Sequence, residues 1–362
     1  MKRRILFSMC ADESEAAKMT EAGLNAERLG FDCVWVSDHI SDLPPARSVF
    51  DAWTSLAYIG SKTNRIMLAS GVTDTQRMHP AKMASTVATL DNLTNGRAIL
   101  GIGAGEAMNV KPYGMPWGAA RERVARLREY VQVVQSLWAS TYERPVTFEG
   151  RYYRLERAHM SVGPVRRPHP PVYVGAFAST GMLRLVGELG DGWFPGAYFT
   201  PEGYRVKVKA IQNFALSAGR EPAELDLIAN IPVIFGEDRE THDRVKNAFR
   251  ASLVKNRYML KQIGADDAYD FLSKSLMYQL ISATPDSMAL LKKAAESLPI
   301  TEEQLERGLD ELLSLGSVDH CVELLSRFID AGATHVRISN FLSSPKDIAT
   351  FADKVIPVLR PG

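Results

Sequence analysis

Short apolar runs alternate with amphipathic stretches along most of this chain. The runs are rich in Val, Ile and Leu and do not alternate with polar residues, which is typical of strands covered on both faces. The stretches between them repeat at helical spacing. The predicted strands are Ile5–Met9, Cys33–Ser37, Ile66–Ser70, Ala98–Ile102, Val172–Gly175, Gly192–Pro195, Leu225–Val233 and His335–Ser339, and the predicted helices include Ser14–Leu29, Ala81–Leu93, Arg121–Leu137, Gly181–Leu189 and Val318–Ala331. This order predicts an α/β fold, a (β/α)8 TIM barrel with insertions, with an open doubly wound sheet as the alternative.

Two segments exceed what a minimal barrel needs. Residues 111–170 hold a long helix and then the polar, aromatic-rich stretch TFEGRYYRLERAHM, which predicts a β-hairpin in a lid-like insertion. Residues 237–316 are mostly charged helix, which predicts a helical insertion before the last βα unit. Its apolar stripe favours a packing or dimer face: Phe249, Leu253, Tyr258, Leu260 and Phe271. We expect residues 1–362 to form one barrel domain.

Composition narrows the functional classes. The chain has 362 residues, of which 46% are hydrophobic and 23% charged, as in ordinary globular proteins. A net charge of +1 argues against a nucleic-acid partner. No apolar run is long enough to span a bilayer and no signal-peptide pattern is present, so we expect a cytoplasmic protein without a membrane partner. The three cysteines are isolated, and the histidines lack ligand-like spacing, so no metal site is predicted.

The candidate chemistry lies where predicted strands end, because a TIM barrel gathers its catalytic groups at the C-terminal ends of its strands. Asp38 and His39 follow the second strand and could be an orienting carboxylate beside a general acid or base. The alternative is a helix cap followed by a surface histidine. The segment Arg97–Asn109, RAILGIGAGEAMN, ends in glycines that admit a backbone or a ligand. Its Glu106 could transfer a proton, or could be an acid stabilised by a helix dipole.

Two more strand ends are small and polar. Ser70–Thr73 follows the third strand and is typical of a plain βα turn, although a strained or cis peptide is possible beside a ligand. Ala176–Thr180, followed by Gly181, lies at a predicted helix start, where backbone N–H groups can hold a phosphate. The alternative there is ordinary N-capping by Ser179.

Beyond these features, the chain resembles the bacterial-luciferase-like superfamily of flavin-type oxidoreductases over nearly its whole length. The resemblance rests on GFDCVWVSDH, ASGVTDTQRMHP, ATLDNLTNGRAILGIGAGEAMN, PVYVGAFASTG and AGATHVRISN. DNLTNGRAILGIGAGE is similar to methylenetetrahydromethanopterin reductase, and GAGEAMN is similar to the glucose-6-phosphate and secondary-alcohol dehydrogenases that use coenzyme F420. The resemblance implies a (β/α)8 barrel with the cofactor at its C-terminal mouth, and a non-proline cis peptide at Ser70–Gly71 or Gly71–Val72.

The resemblance also implies roles for single residues. His39 matches the proton-transfer histidine of the dehydrogenases, and Glu106 would be its partner acid or base. Thr73, Glu106 and Asn109 match positions that contact the cofactor, and four residues match the phosphate-side cradle: Ala178, Ser179, Gly181 and Met182. We also expect further residues at the strand ends to bind the cofactor: Asp38, Ser70, Gly71, Val72, Ala104, Gly105 and Ala176. Two departures leave the substrate open. Leu43 stands where the glucose-6-phosphate enzymes have tryptophan, and Glu106 stands where the reductase has aspartate.

We therefore expect an F420-dependent oxidoreductase that moves a hydride between a small organic substrate and the deazaflavin ring. We also expect a homodimer. One alternative is an FMN-dependent, luciferase-like monooxygenase, since a shared fold does not fix the chemistry. The other is a non-catalytic flavin-binding protein, against which the presence of both His39 and Glu106 argues.

Overall fold

Eight parallel strands close into a barrel in the computed structural model, which describes residues 4–42, 48–275, 285–339 and 342–360. The strand Gly192–Pro195 pairs with the strand Asp226–Phe235 and completes the ring. The predicted TIM barrel is therefore confirmed, and the alternative of an open sheet is wrong. Every predicted strand is present, with ends that differ by two residues at most. The strands are β1 Leu6–Cys10, β2 Cys33–Val36, β3 Met67–Ser70, β4 Ala98–Gly103, β5 Val172–Ala176, β6 Gly192–Pro195, β7 Asp226–Phe235 and β8 His335–Ser339.

Helices surround the barrel and extend its long seventh connection. In the described ranges they are α1 Ala16–Arg28, α2 Ala52–Ser61, α3 Pro80–Leu93, α4 Ala120–Trp138, α5 Thr180–Leu189, α6 Pro201–Ser217, α7 Arg239–Lys255, α8 Tyr258–Gln262, α9 Asp266–Ser275, α10 Pro285–Glu296, α11 Glu302–Glu311, α12 Val318–Asp330, α13 Pro345–Thr350 and α14 Ile356–Leu359. Short 3₁₀ turns lie at Ala107–Asn109, Lys111–Tyr113 and Pro222–Glu224, and a π-helical turn lies at Phe351–Val355. Within the described part of the chain, no helix is both long and apolar enough to cross a bilayer.

The inside of the barrel is filled by side chains rather than open. Its interior cluster comprises Cys33, Trp35, Ala69, Ile99, Tyr173, Phe194 and Ile228. Below Trp35, the Ser8 hydroxyl accepts a hydrogen bond from the indole Nε1 at 3.0 Å and lies 2.7 Å from Nε2 of the buried His335. This packing closes the N-terminal side of the barrel, so a ligand of any size must enter at the C-terminal ends of the strands.

Residues 111–170 contribute a barrel helix as well as a hairpin. Helix α4 packs between α3 and α5, in the ordinary place of the fourth barrel helix. Strands Val146–Glu149 and Arg154–Ala158 then form the predicted antiparallel hairpin. The ring of Tyr153, in the hairpin turn, packs edge-on against Tyr130 of α4. The hairpin is therefore anchored to α4, and its use as a lid stays a prediction.

Residues 237–316 form helices α7 to α11 around a second apolar core. Phe249, Leu253 and Leu260 of the predicted stripe are buried there, so these three residues pack within the protein. Phe271 stays exposed. The segment ends in a short strand, Ser314–Gly316, that pairs with β7 and was not predicted.

Candidate active site

A cavity of about 750 Å³ opens at the C-terminal ends of the barrel strands. Its size lies within the range of sites that hold an organic cofactor together with a small substrate. Eleven of the residues singled out in the sequence line it: Asp38, His39, Gly71, Val72, Thr73, Ala104, Gly105, Glu106, Asn109, Ser179 and Met182. These residues follow four different strands and are far apart in sequence, and closure of the barrel brings them together.

His39 and Glu106 face each other across this cavity. The distance from His39 Nε2 to Glu106 Oε2 is 3.7 Å, which is an ion-pair distance if the imidazole is protonated but longer than a hydrogen bond. The His39 side chain is 20% exposed and that of Glu106 is 49% exposed, so both reach the cavity. The pair can donate and accept protons at a ligand placed beside it.

Asn109 fixes the backbone that follows His39. Its Oδ1 accepts hydrogen bonds from the backbone N–H groups of Ile40, at 2.7 Å, and of Ser41, at 3.0 Å. Its Nδ2 is buried and has no acceptor among the described residues. A buried donor without an acceptor costs free energy, so Asn109 offers one hydrogen bond to a ligand on the cavity wall.

Arg77 fixes the backbone that precedes His39, and sequence reasoning missed it. Its Nη2 donates to the Asp38 carbonyl at 2.6 Å, its Nη1 donates to Asp38 Oδ1 at 3.2 Å, and its Nε donates to Asp74 Oδ2 at 2.5 Å. Burial alone would lower the pKa of Arg77, but the two carboxylates outweigh it and raise that pKa above its usual value. The guanidinium therefore stays charged, and the Asp38 carboxylate is engaged by Arg77 rather than free for a ligand. The only sequence signal was the Asp74–Arg77 spacing of three residues.

The end of β3 forms one wall of the cavity, and the peptide bond Gly71–Val72 is cis, at one of the two predicted positions. The Val72 side chain lies against two strand-end glycines. A Cβ atom at Gly103 or Gly175 would lie 3.1 Å or 2.9 Å from Val72 Cγ2, and one at Gly101 would lie 1.9 Å from the Ser70 carbonyl oxygen. The glycines of β4 and β5 therefore make room for the end of β3, which is the close backbone approach that the sequence indicated.

Four predicted cofactor residues lie off the cavity lining. Ser70 is fully buried, and its hydroxyl donates to the Gly101 carbonyl at 2.9 Å and accepts from the Gly101 N–H at 3.1 Å. Both bonds hold β3 to β4, so this hydroxyl serves the barrel. Ala176 is buried at the end of β5, while Ala178 and the exposed Gly181 lie beside the cavity rather than on its wall.

Ser179 caps the start of α5, which is the alternative to a phosphate site that the sequence left open. The Ser179 hydroxyl accepts from the Met182 N–H at 3.4 Å, and the Ser179 carbonyl accepts from the same group at 3.0 Å. Both residues also line the cavity. Because the first N–H groups of a helix have no partner within the helix, this end of α5 can still receive an anionic group.

Sequence reasoning missed the side of the cavity formed by β7 and β8. Several polar and charged residues line it: Tyr198, Asn230, Lys255, Arg337 and Ser339. The Tyr198 hydroxyl lies 2.8 Å from Ser339 Oγ, and Arg337 Nη1 donates to Asn230 Oδ1 at 2.6 Å. By contrast, all the carboxylates that line the cavity in the described ranges follow β1 to β4: Asp12, Asp38, Asp42, Asp74 and Glu106. The cations of the lining are divided: Arg77 and Arg123 follow β3 and β4, whereas Lys255 and Arg337 lie on the side of β7 and β8.

Comparison with known proteins agrees with this geometry. The family model described as luciferase-like monooxygenase matches residues 7–335. An F420-dependent glucose-6-phosphate dehydrogenase from Beutenbergia cavernae is 31% identical over 368 residues, which cover 99% of this chain and 97% of that protein. Two solved structures share the fold, each with 22% identity and 99% of both chains covered. They are the coenzyme F420-dependent tetrahydromethanopterin reductase from Methanopyrus kandleri, with a TM-score of 0.79, and an F420-dependent secondary alcohol dehydrogenase in complex with an F420–acetone adduct, with a TM-score of 0.76.

The matched segment runs from the second residue of β1 to the first residue of β8, and so includes six complete barrel strands and the loops that carry His39 and Glu106. Fold, cavity position and sequence therefore lead to the same assignment. The chain belongs to the luciferase-like monooxygenase family.

Proposed function

We propose that this chain is an oxidoreductase that uses coenzyme F420 to oxidise or reduce a small organic molecule. The curated relative and both solved structures are named for dependence on this cofactor, and the sequence prediction of an F420-dependent oxidoreductase is confirmed by them. Which substrate is used, the hydride transfer itself and the roles of single residues are proposals. The observation that carries them is the His39–Glu106 pair on the wall of a cofactor-sized cavity.

The residues present fit a bound deazaflavin nucleotide. Asn109 has a buried Nδ2 that lacks an acceptor and suits a ring carbonyl, and the start of α5 at Ser179 suits a phosphate. Val72 offers an apolar wall for a flat ring. When bound, F420 would supply or accept the hydride, and the protein would supply orientation and electrostatics.

The protein's own part is proton transfer. We infer that His39 takes a proton from a substrate hydroxyl, or returns one to a substrate carbonyl oxygen, because an imidazole titrates near neutral pH. Glu106, 3.7 Å away, would stabilise the imidazolium or relay the proton to the cavity mouth. Arg77 and Asn109 would keep His39 in place from its two sides. Arg77 and Asn109 can hold His39 in this way without touching the substrate.

An FMN-dependent monooxygenase is the second candidate, because the family model is described as luciferase-like monooxygenase. A binding titration separates the two. We expect F420 to bind with a micromolar dissociation constant, or about −8 kcal/mol, and FMN to bind at least about tenfold more weakly. Asn109→Ala should weaken F420 binding, whereas the exposed control Arg239→Ala should not. Tighter binding of FMN than of F420 would reject the proposal.

We also propose that the protein is a cytoplasmic homodimer. The dimer is kept from the sequence expectation, and the compartment rests on three free, buried cysteines, which suit reducing conditions. Light scattering after gel filtration would give the mass in solution: twice the chain mass of 40.0 kDa is expected, and 40.0 kDa would reject the dimer.

A further inference from the structure

Arg337, in the middle of β8, is a buried cation at the floor of the cavity. Only 6% of the residue is exposed, and its guanidinium lies over the ring of Phe194, 5.0 Å from the ring centre. Nη1 donates to Asn230 Oδ1 at 2.6 Å, while Nε is buried and has no acceptor among the described residues. Within the described ranges, no carboxylate oxygen lies within 4.0 Å of this guanidinium. Among the residues that the structure describes, Arg337 therefore has one neutral hydrogen-bond partner and no carboxylate within ion-pair distance.

The thiols of Cys10 and Cys33, on which the charge of Arg337 acts, do not supply a negative charge. Burial, and then the neighbouring Asp12, raise the pKa of the Cys10 thiol to about 12, although Arg337 acts in the opposite direction. Burial also raises the pKa of the Cys33 thiol well above its usual value. Both thiols are therefore neutral near pH 7. A buried cation without a counter-ion is costly, and proteins normally pair it.

The surroundings of Arg337 favour an anion from outside the protein. Lys255, at the end of α7, lines the same side of the cavity and adds a second positive charge. Of the lining carboxylates, Asp38 and Asp74 are already paired with Arg77, and Asp42 and Glu106 follow β2 and β4. Asp12 follows β1, which pairs with β8, but it makes no ion pair with Arg337. A negatively charged group would therefore be attracted to Arg337 and Lys255 and repelled by Glu106.

We propose that Arg337 and Asn230 form a subsite for an oxyanion of the substrate, either a carboxylate or a phosphate ester. The proposal rests on the proposed function, since it names the class of molecule that reacts in that cavity. The anionic end of the substrate would lie at β7 and β8, and its carbinol or carbonyl carbon would lie toward His39, which follows β2. Arg337 is then a specificity-determining residue, and a neutral alcohol of similar shape is a poor substrate.

The test is an oxyanion titration of the protein saturated with F420, so that the start of α5 is already filled. Acetate and inorganic phosphate are the two probes, and calorimetry is the readout. We expect one of them to bind to the unmodified protein and to bind roughly 10- to 100-fold more weakly to Arg337→Met, the usual worth of a hydrogen bond to a charged group. Arg239→Met removes an exposed charge elsewhere and should leave the affinity unchanged.

A second variant keeps the test valid if Arg337→Met does not fold. Asn230→Asp has nearly the same shape and places a carboxylate on Arg337, so it should abolish oxyanion binding in a folded protein. The proposal is overturned if Asn230→Asp binds the probe as well as the unmodified protein does. It is also overturned if neither probe binds, or if Arg337→Met weakens F420 rather than the oxyanion, because the guanidinium would then serve the cofactor.

The failure of the proposed function would look different. In that case F420 does not bind, and the titration is repeated without it. Loss of oxyanion binding in Asn230→Asp would then still support an oxyanion subsite, while the identity of the cofactor would need revision. Where F420 does bind, turnover gives a second readout: Arg337→Met should lower kcat/KM for a hydroxy acid or a sugar phosphate by a larger factor than kcat/KM for 2-propanol.

Discussion

Replacing Arg77 with methionine tests the idea that His39 is held by a buried ionic clamp. The substitution keeps most of the apolar stem but removes the charge and the three side-chain hydrogen bonds to Asp38 and Asp74. The side chains of those two residues are only 9% and 5% exposed, so both carboxylates are left buried without a cation. Asp74 keeps the hydrogen bonds from the backbone N–H groups of residues 76 and 77. Removing one partner of a buried ion pair costs about 3–5 kcal/mol. We expect the free energy of unfolding of Arg77→Met to fall by about that amount.

The same substitution should slow turnover, because the Asp38 carbonyl that Arg77 holds belongs to the residue before His39. We expect kcat to fall about 10- to 100-fold, the cost of misplacing a reacting group by a fraction of an ångström to one ångström. Arg77→Lys keeps the charge but not the fork of donors, so it should restore stability more than turnover. Urea unfolding and F420-linked kinetics on the same samples measure the two effects.

A matched control separates charge from packing. In a triple variant, Arg77→Met is combined with Asp38→Asn and Asp74→Asn, so no buried charge is left alone. Replacing a whole ionic group by neutral residues is often close to neutral in stability. The triple variant should therefore be more stable than Arg77→Met by itself. A loss below about 1 kcal/mol in Arg77→Met, or a triple variant less stable than the single one, would refute the clamp.

Three further predictions concern other parts of the molecule. His39→Ala should lower turnover by roughly 10² to 10⁴ with little change in F420 affinity; weaker binding at unchanged turnover would make His39 only a ligand contact. Gly181→Asp adds a negative charge at the start of α5 and should weaken F420 severely, whereas Gly181→Ala, whose Cβ meets Val124 at 3.5 Å, should bind normally. Equal affinities would place the phosphate elsewhere. Glu27 accepts the N–H groups of residues 64–66; burial raises its pKa, but these bonds outweigh it and lower that pKa below its usual value. Its contribution to stability is thus complete above an unfolded pKa of about 4.3 and is lost as the pH falls through the folded pKa. Urea midpoints of Glu27→Gln and the unmodified protein should converge in acid; a constant difference would contradict this.

The barrel could be predicted because its strands are covered on both faces and therefore stand out as apolar runs. Helix α2 was missed because most of its length, AWTSLAYIGS, is buried, which leaves little polar contrast. Helix α6 was missed for another reason: its segment Val206–Lys209 alternates apolar and charged residues as a strand does. Burial and surface charge are decided by neighbours that a single sequence does not show.

The candidate site also contains residues that could be predicted from the sequence and residues that could not. His39, Glu106 and Asn109 follow strands directly, so the topology alone brought them to one mouth. The partners of these residues depend on contacts across the barrel. Arg77 meets Asp38 from another loop. Arg337 has the sequence context of an ordinary strand residue, and only the closed barrel shows that no described carboxylate lies within 4.0 Å of its guanidinium. Leu43, which bears on the substrate, lies outside the described residues.

We propose that this protein transfers a hydride to or from F420 and that the reaction needs no oxygen. The direct measurement is turnover followed by F420 absorbance, with a panel of hydroxy acids, sugar phosphates and simple alcohols, in air and under strict anaerobiosis. We predict equal turnover rates in air and without oxygen. We also predict that Glu106→Gln lowers the anaerobic rate while F420 stays bound. A requirement for oxygen and reduced FMN, with Glu106→Gln as active as the unmodified protein, would contradict it.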